Sequence, residues 1–99
     1  MSNQIRLVAP AVIRMAVATE RERQDEKFGP LPRDISWGTW IGVLGEEFGE
    51  VCKEVVEHDT KGNLLTELIH VAAVAEAWAT DIMLKWEGPV DEPTDGGGS

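Results

Sequence analysis

The sequence predicts an all-α fold, and three observations carry that expectation. Apolar residues recur at intervals of three and four in three separate stretches, Gly- and Pro-containing segments divide them, and no alternation of apolar and polar residues is long enough to propose a sheet. The expected architecture is an antiparallel hairpin of the second and third helices plus an N-terminal helix. Together they form a four-helix-bundle-like core completed by oligomerisation. A chain of 99 residues is read as one domain over 1–88, followed by a disordered tail over 89–99 whose final GGGS resembles a flexible linker. So short a chain buries a modest share of its surface, so packing against a second copy would help it.

The first helix is expected from about Pro10 to Lys27. Proline suits a first helical turn, where its missing N–H would be unpaired in any case. Val12, Ile13, Ala16 and Val17 give it an apolar stripe before the segment turns polar, and "FGPLPRD" then breaks it. The second helix begins near Ser36 or Thr39, both suitable N-caps, and runs to about His58 with Trp40, Val43, Leu44, Phe48, Val51 and Val55 at helical spacing. "HDTKG" is a short polar connection, and Asn63 is placed to cap a third helix from Leu64 to about Trp86. There Leu65, Leu68, Ala72, Ala75, Ala79, Ile82 and Trp86 form a seam suited to helix packing. Leu64, Val71 and Trp78 add a second strip. A helix apolar on two sides has neighbours on two sides, which points to self-association as a homodimer or homotetramer.

The formal net charge is -9, from 18 acidic against 9 basic side chains. That excludes nucleic-acid binding through bulk electrostatics, which needs clustered Lys and Arg. A polyanionic ligand such as a nucleotide would need divalent cations to bridge it to the protein. The lone Cys52 is expected to be a small buried apolar group. The N-terminal region lacks a secretory pattern and no apolar stretch reaches bilayer length, so a cytoplasmic protein without membrane contact is expected.

The carboxylates of "LGEEFGEVCKEVVEHD" are the main chemical signal. Glu47 and Glu50 share a helical face by their three-residue spacing, Glu46 lies beside it, and Glu67 and His70 repeat that spacing on the third helix. Like charges are unfavourable side by side unless they are well solvated or share a cation. Glu54 and Glu57 fit a solvated face. An antiparallel hairpin centred near residue 60 would bring Glu50 level with His70 and leave Glu47 and Glu67 offset by roughly 9 Å. The pairs are therefore either wet faces or halves of one metal site.

"GEEFGEV" followed by "LLTELIHVAAVAEAW" resembles the MazG-like, all-α nucleoside triphosphate pyrophosphohydrolases, which carry E-E-x-x-E on one helix and E-x-x-D on the next. "ERERQDEKFG" is similar to short, often phage-encoded members. The resemblance covers about residues 20–80. It implies Mg2+ bound by Glu47, Glu50 and Glu67, with Glu46 as a catalytic base or orienting group. It also implies hydrolysis of a nucleoside triphosphate to the monophosphate and pyrophosphate. His70 stands where that family has aspartate. Imidazole suits Mn2+, iron or zinc better than Mg2+. Gln24, Lys27 and Trp40 are the candidate substrate residues, and Phe28, Trp37 or Trp40 could stack on a base.

Other readings stay open. With His70 replacing the acid, the same fold could bind a nucleotide without hydrolysing it. Glu-x-x-His is also the ligand pair of ferritin-like di-iron bundles, which two hairpins could build across a dimer. A plain helical interaction module would need no site at all.

Overall fold

The computed structural model describes residues 3–58 and 61–86; the predicted tail over 89–99 lies outside them. The fold is all-α, with α1 over Asn3–Phe28, α2 over Trp37–Lys53, a π-helical turn over Glu54–His58 and α3 over Lys61–Lys85. Helix α3 is central. Both α1 and α2 pack on it, while α1 and α2 make no close backbone contact with each other, so a groove runs between them over α3. Among the described residues no helix is long and apolar enough to cross a membrane.

Helix α1 begins earlier than expected and continues through Pro10. Its N-terminal half is exposed, so the backbone carbonyl that proline cannot serve is open to water. The helix stops at Gly29, whose φ of 94° is the left-handed conformation that glycine adopts without a Cβ clash. The Gly29 N–H closes the last turn on the Asp25 carbonyl at 2.9 Å. The Arg33 guanidinium then caps this end, donating to the Gly29 carbonyl at 2.9 Å and the Gln24 carbonyl at 3.3 Å, the cation completing carbonyls left open at a helix C-terminus.

Ser36 caps α2 as anticipated, its hydroxyl accepting the Thr39 N–H at 3.1 Å. Helix α3 starts at Lys61, so Asn63 lies within its first turn instead of capping it.

The core is small. Trp40, Val74 and Ala77 are buried, with Leu31, Ile35, Leu44 and Trp78 packed around them. The Trp40 and Trp78 rings stack with centroids 6.2 Å apart. Truncating Trp40 to Ala would cost about 3–5 kcal/mol on the scale of core aromatic deletions.

Which faces are buried differs from the sequence expectation. On α3 the buried residues are Ala73, Val74, Ala77 and Asp81, whereas Leu65, Leu68, Ala72, Ala75, Ala79 and Trp86 of the predicted seam are exposed and Ile82 is half-buried. Val43, Phe48, Val55 and Cys52, all expected inside, face outward on α2 and its continuation. On α1 the buried face is Val17, Glu20, Arg21 and Gln24, mostly polar, while Val12 and Ile13 are exposed. Helix α2 buries Trp40, whereas on α1 and α3 the buried side includes polar residues that find partners.

Asp81 shows this directly. It is 1% exposed, accepts the Arg33 N–H at 2.7 Å and pairs with the Lys85 ammonium at 2.9 Å. Lys85 also donates to the Arg33 carbonyl at 2.6 Å, so both backbone groups of Arg33 are stitched to the C-terminal end of α3. This fixes the 29–36 connection, which forms one wall of the groove.

Candidate functional site

Three helices each deliver acidic or imidazole groups to the groove: Glu20 from α1, Glu47 from α2, and Glu67 with His70 from α3. One donor atom each from Glu47, Glu67 and His70 lies within 4.8 Å of the others, a spacing that could hold a metal ion. His70 Nδ1 is 3.3 Å from Glu67 Oε1 and 3.6 Å from Glu47 Oε1. Its Nε2 turns the other way, 3.8 Å from Glu20 Oε1.

Glu47 enters this group and Glu50 does not: Glu47 Oε1 lies 3.6 Å and Glu67 Oε1 3.3 Å from His70 Nδ1, whereas the expected register set Glu50 level with His70. Helix α2 continues to His58 as a π-helical turn, whose winding differs from regular α-helix, so a count of α-helical residues does not give the pairing. Glu50 is exposed and lies outside the group. Glu46 is also exposed, beside Glu47 on the wall of the adjoining pocket.

Electrostatics separate the carboxylates. Partial burial raises the Glu47 carboxyl above its ordinary range, opposed by His70 and reinforced by the charges of Glu67, Glu20 and Glu46. Glu20 goes the other way. Hydrogen bonds from Arg23 at 2.9 and 2.6 Å lower it, against the cost of burial, and His70 and Gln24 assist. Arg23 is raised in turn, chiefly by its bond to Glu20.

A pocket of about 770 Å³ opens beside the group, and Glu47 lines it together with Arg23, Lys27, Phe28, Arg33 and Trp40. All three predicted substrate residues, Gln24, Lys27 and Trp40, border this pocket. Their availability differs. The Gln24 amide is engaged by Arg21 at 3.1 Å and Glu20 at 3.4 Å. Trp40 is 2% exposed, stacked on Trp78 and 5.7 Å from the Arg33 guanidinium, so it forms a floor and offers no open stacking face. Lys27 is exposed, its ammonium 5.1 Å from the Phe28 ring, and Phe28 is the exposed aromatic of the wall. Trp37 is exposed but outside the pocket.

Sequence reasoning assigned no role to Glu20, Arg33 or Asp81, whereas Arg23, which it offered with Arg21 and Lys27 as a phosphate contact, does line the pocket. A signal for Glu20 existed: with Val17, Arg21 and Gln24 it forms an i, i+3, i+4, i+7 set on one face of α1. Set against protein-family models, curated proteins and solved structures, the chain matches none of them.

Proposed function

We propose that the protein is a metal-dependent nucleoside triphosphate pyrophosphohydrolase, converting a nucleoside triphosphate and water to the monophosphate and pyrophosphate. One observation carries the proposal. Glu47 belongs both to the Glu47/Glu67/His70 group and to the pocket wall, so a cation held by the first would face an anion bound in the second. The resemblance of "GEEFGEV" and "ELIH" to the MazG-like motifs supports the same reading.

The donors fit a divalent cation. Two carboxylates and an imidazole suit Mn2+, iron or zinc, and accommodate Mg2+ less well than an all-oxygen set. Burial chiefly raises the Glu47 carboxyl and the neighbouring charges of Glu67, Glu20 and Glu46 add to it; a shared dication would counter both. When bound, such an ion supplies charge neutralisation for the phosphates and acidifies water. The remaining work falls to the chain. Arg23 and Lys27 on the pocket wall would meet phosphate oxygens, Phe28 would offer an aromatic surface to a base, and Glu46 beside Glu47 would take a proton from the attacking water. A chain of net charge -9 otherwise repels a polyanion.

Pyrophosphate release from a panel of common and modified nucleoside triphosphates, with Mg2+ or Mn2+ present, tests this. Turnover that disappears in Glu47→Gln is expected, and no product from any nucleotide would sink the proposal.

A second reading is favoured by His70, which stands where the resembling family has aspartate: the site captures a nucleotide without hydrolysing it. Nucleotide-induced stabilisation without product, with turnover gained by His70→Asp, would select it over hydrolysis.

Self-association completes the proposal. The 3–4 spaced seam of α3 is turned outward, with Leu65 and Leu68 about half exposed and Trp86 at 60%, an unpaired face suited to a second helix.

A further inference from the structure

We infer that Glu20 is a positioning residue that orients His70, holding the imidazole so that Nε2–H points to α1 while Nδ1 presents its lone pair to a cation shared with Glu47 and Glu67. This rests on the metal-binding reading above and adds to it a residue and a tautomer.

The geometry divides the ring. Nδ1 lies 3.3 and 3.6 Å from the Glu67 and Glu47 carboxylates, and Nε2 lies 3.8 Å from Glu20 on a different helix. An imidazole that ligates through one nitrogen needs an acceptor for the N–H of the other. Without it the ring is free to rotate and to change tautomer. Glu20 is the acceptor on that side. The 3.8 Å separation exceeds a hydrogen bond, so the role requires the ring to close on Glu20 when Nδ1 engages a cation.

Glu20 is also suited to this role because it cannot leave. It is 9% exposed, Arg23 grips both its oxygens at 2.9 and 2.6 Å, and the Gln24 amide reaches Oε2 at 3.4 Å. Oε1, the oxygen facing His70, is the one held by Arg23 Nε. A carboxylate free to swing would be a competing ligand; one clamped by a guanidinium acts on the imidazole. Arg23, with its side chain 55% exposed on the pocket wall, thereby links the pocket to the orientation of His70.

The test is Zn2+ titration of the full chain by calorimetry for wild type, Glu20→Ala, Glu20→Gln, His70→Asp and Glu20→Ala/His70→Asp, with helicity checked by circular dichroism. Glu20→Ala should weaken Zn2+ by about 10–100-fold, the range for losing a carboxylate behind a ligating histidine. Glu20→Gln keeps the volume and an acceptor oxygen, so it should recover most of that loss even if the Ala variant folds poorly. With His70→Asp there is no imidazole to orient, and removing Glu20 should then leave Zn2+ affinity unchanged or higher. Imidazole 15N spectra of the Zn2+ form, assigned with His70→Asp, should show Nδ1 ligated and Nε2 protonated. Wild-type affinity in Glu20→Ala, an equal loss in both backgrounds, or ligation through Nε2 would each overturn the inference while leaving the metal site standing. A wild-type chain that takes up no Zn2+ overturns both.

Discussion

Replacing Asp81 by Ala tests whether the groove depends on the anchor described at the end of α3. The carboxylate is 1% exposed and accepts the Arg33 N–H at 2.7 Å and the Lys85 ammonium at 2.9 Å. Losing a hydrogen bond to a charged group costs about 1.5–3 kcal/mol, and here it leaves a half-buried N–H without its acceptor. The lysine contributes less. Its side chain is 45% exposed, so solvent screening holds the ion pair to about 0.5 kcal/mol, and it keeps its bond to the Arg33 carbonyl. The expected loss is therefore about 2–3 kcal/mol, which for a domain of this size is roughly 8–24 °C in Tm. Urea unfolding followed by tryptophan fluorescence, at one fixed protein concentration, measures it. Asp81→Asn retains an acceptor oxygen and should lose about half as much. A change below about 0.5 kcal/mol in Asp81→Ala would refute the assignment of Asp81 as the anchor of the 29–36 connection.

Three further outcomes are expected. Glu47→Gln should weaken Mn2+ binding by more than about tenfold and Glu50→Gln by less than about threefold, read from the metal-induced rise in Tm; equal effects would mean that Glu50 belongs to the site after all. Burial pushes the Asp81 carboxyl up, but the Arg33 N–H and Lys85 outweigh it and lower its pKa below the ordinary 3.8. Its stabilisation is thus complete above that ordinary value and is lost as pH falls through the folded one. The Tm gap between wild type and Asp81→Asn should accordingly narrow from about pH 5 toward pH 2, and a constant gap contradicts the linkage. Leu68→Glu on the outward seam should leave helicity intact and reduce the mass seen by light scattering, so a wild type already monomeric, or a variant of unchanged mass, argues against self-association through α3.

How much of this was legible depends on what periodicity can resolve. The helices, the break at "FGPLPRD" and the Ser36 cap followed from local chemistry, because breakers and caps act within a few residues. The choice of buried face on α3 did not. Leu65, Leu68 and Ile82 mark one strip and Leu64, Val71 and Trp78, all half-buried, the other, and spacing alone cannot rank two strips that are both apolar. Two polar residues of α3 turn inward, His70, which interrupts the apolar pattern, and Asp81, for which the sequence offered no role. They are turned inward because Glu20, Arg33 and Lys85 meet them there, and partners so distant in sequence leave no local trace. Glu20 was hidden for the same reason. "ERERQDEK" has the mixed charge of a wet helix end, and only the position of α1 on α3 turns one side of it inward.

The way the carboxylates are partnered separates scaffold from site. Asp81 is paired with Lys85, Glu20 with Arg23, and Asp25 with Arg21 and Arg33, and the two most buried of these acids, Asp81 and Glu20, are lowered. Glu47 and Glu67 face an imidazole and form no ion pair with Lys or Arg among the described residues, and Glu47 is raised. Two carboxylates beside a histidine, without a Lys or Arg partner among the described residues, form a group that could hold a metal ion. Under the proposed function that ion would sit at the edge of the pocket wall shared by Glu47, Arg23 and Lys27, where an anionic ligand would meet it.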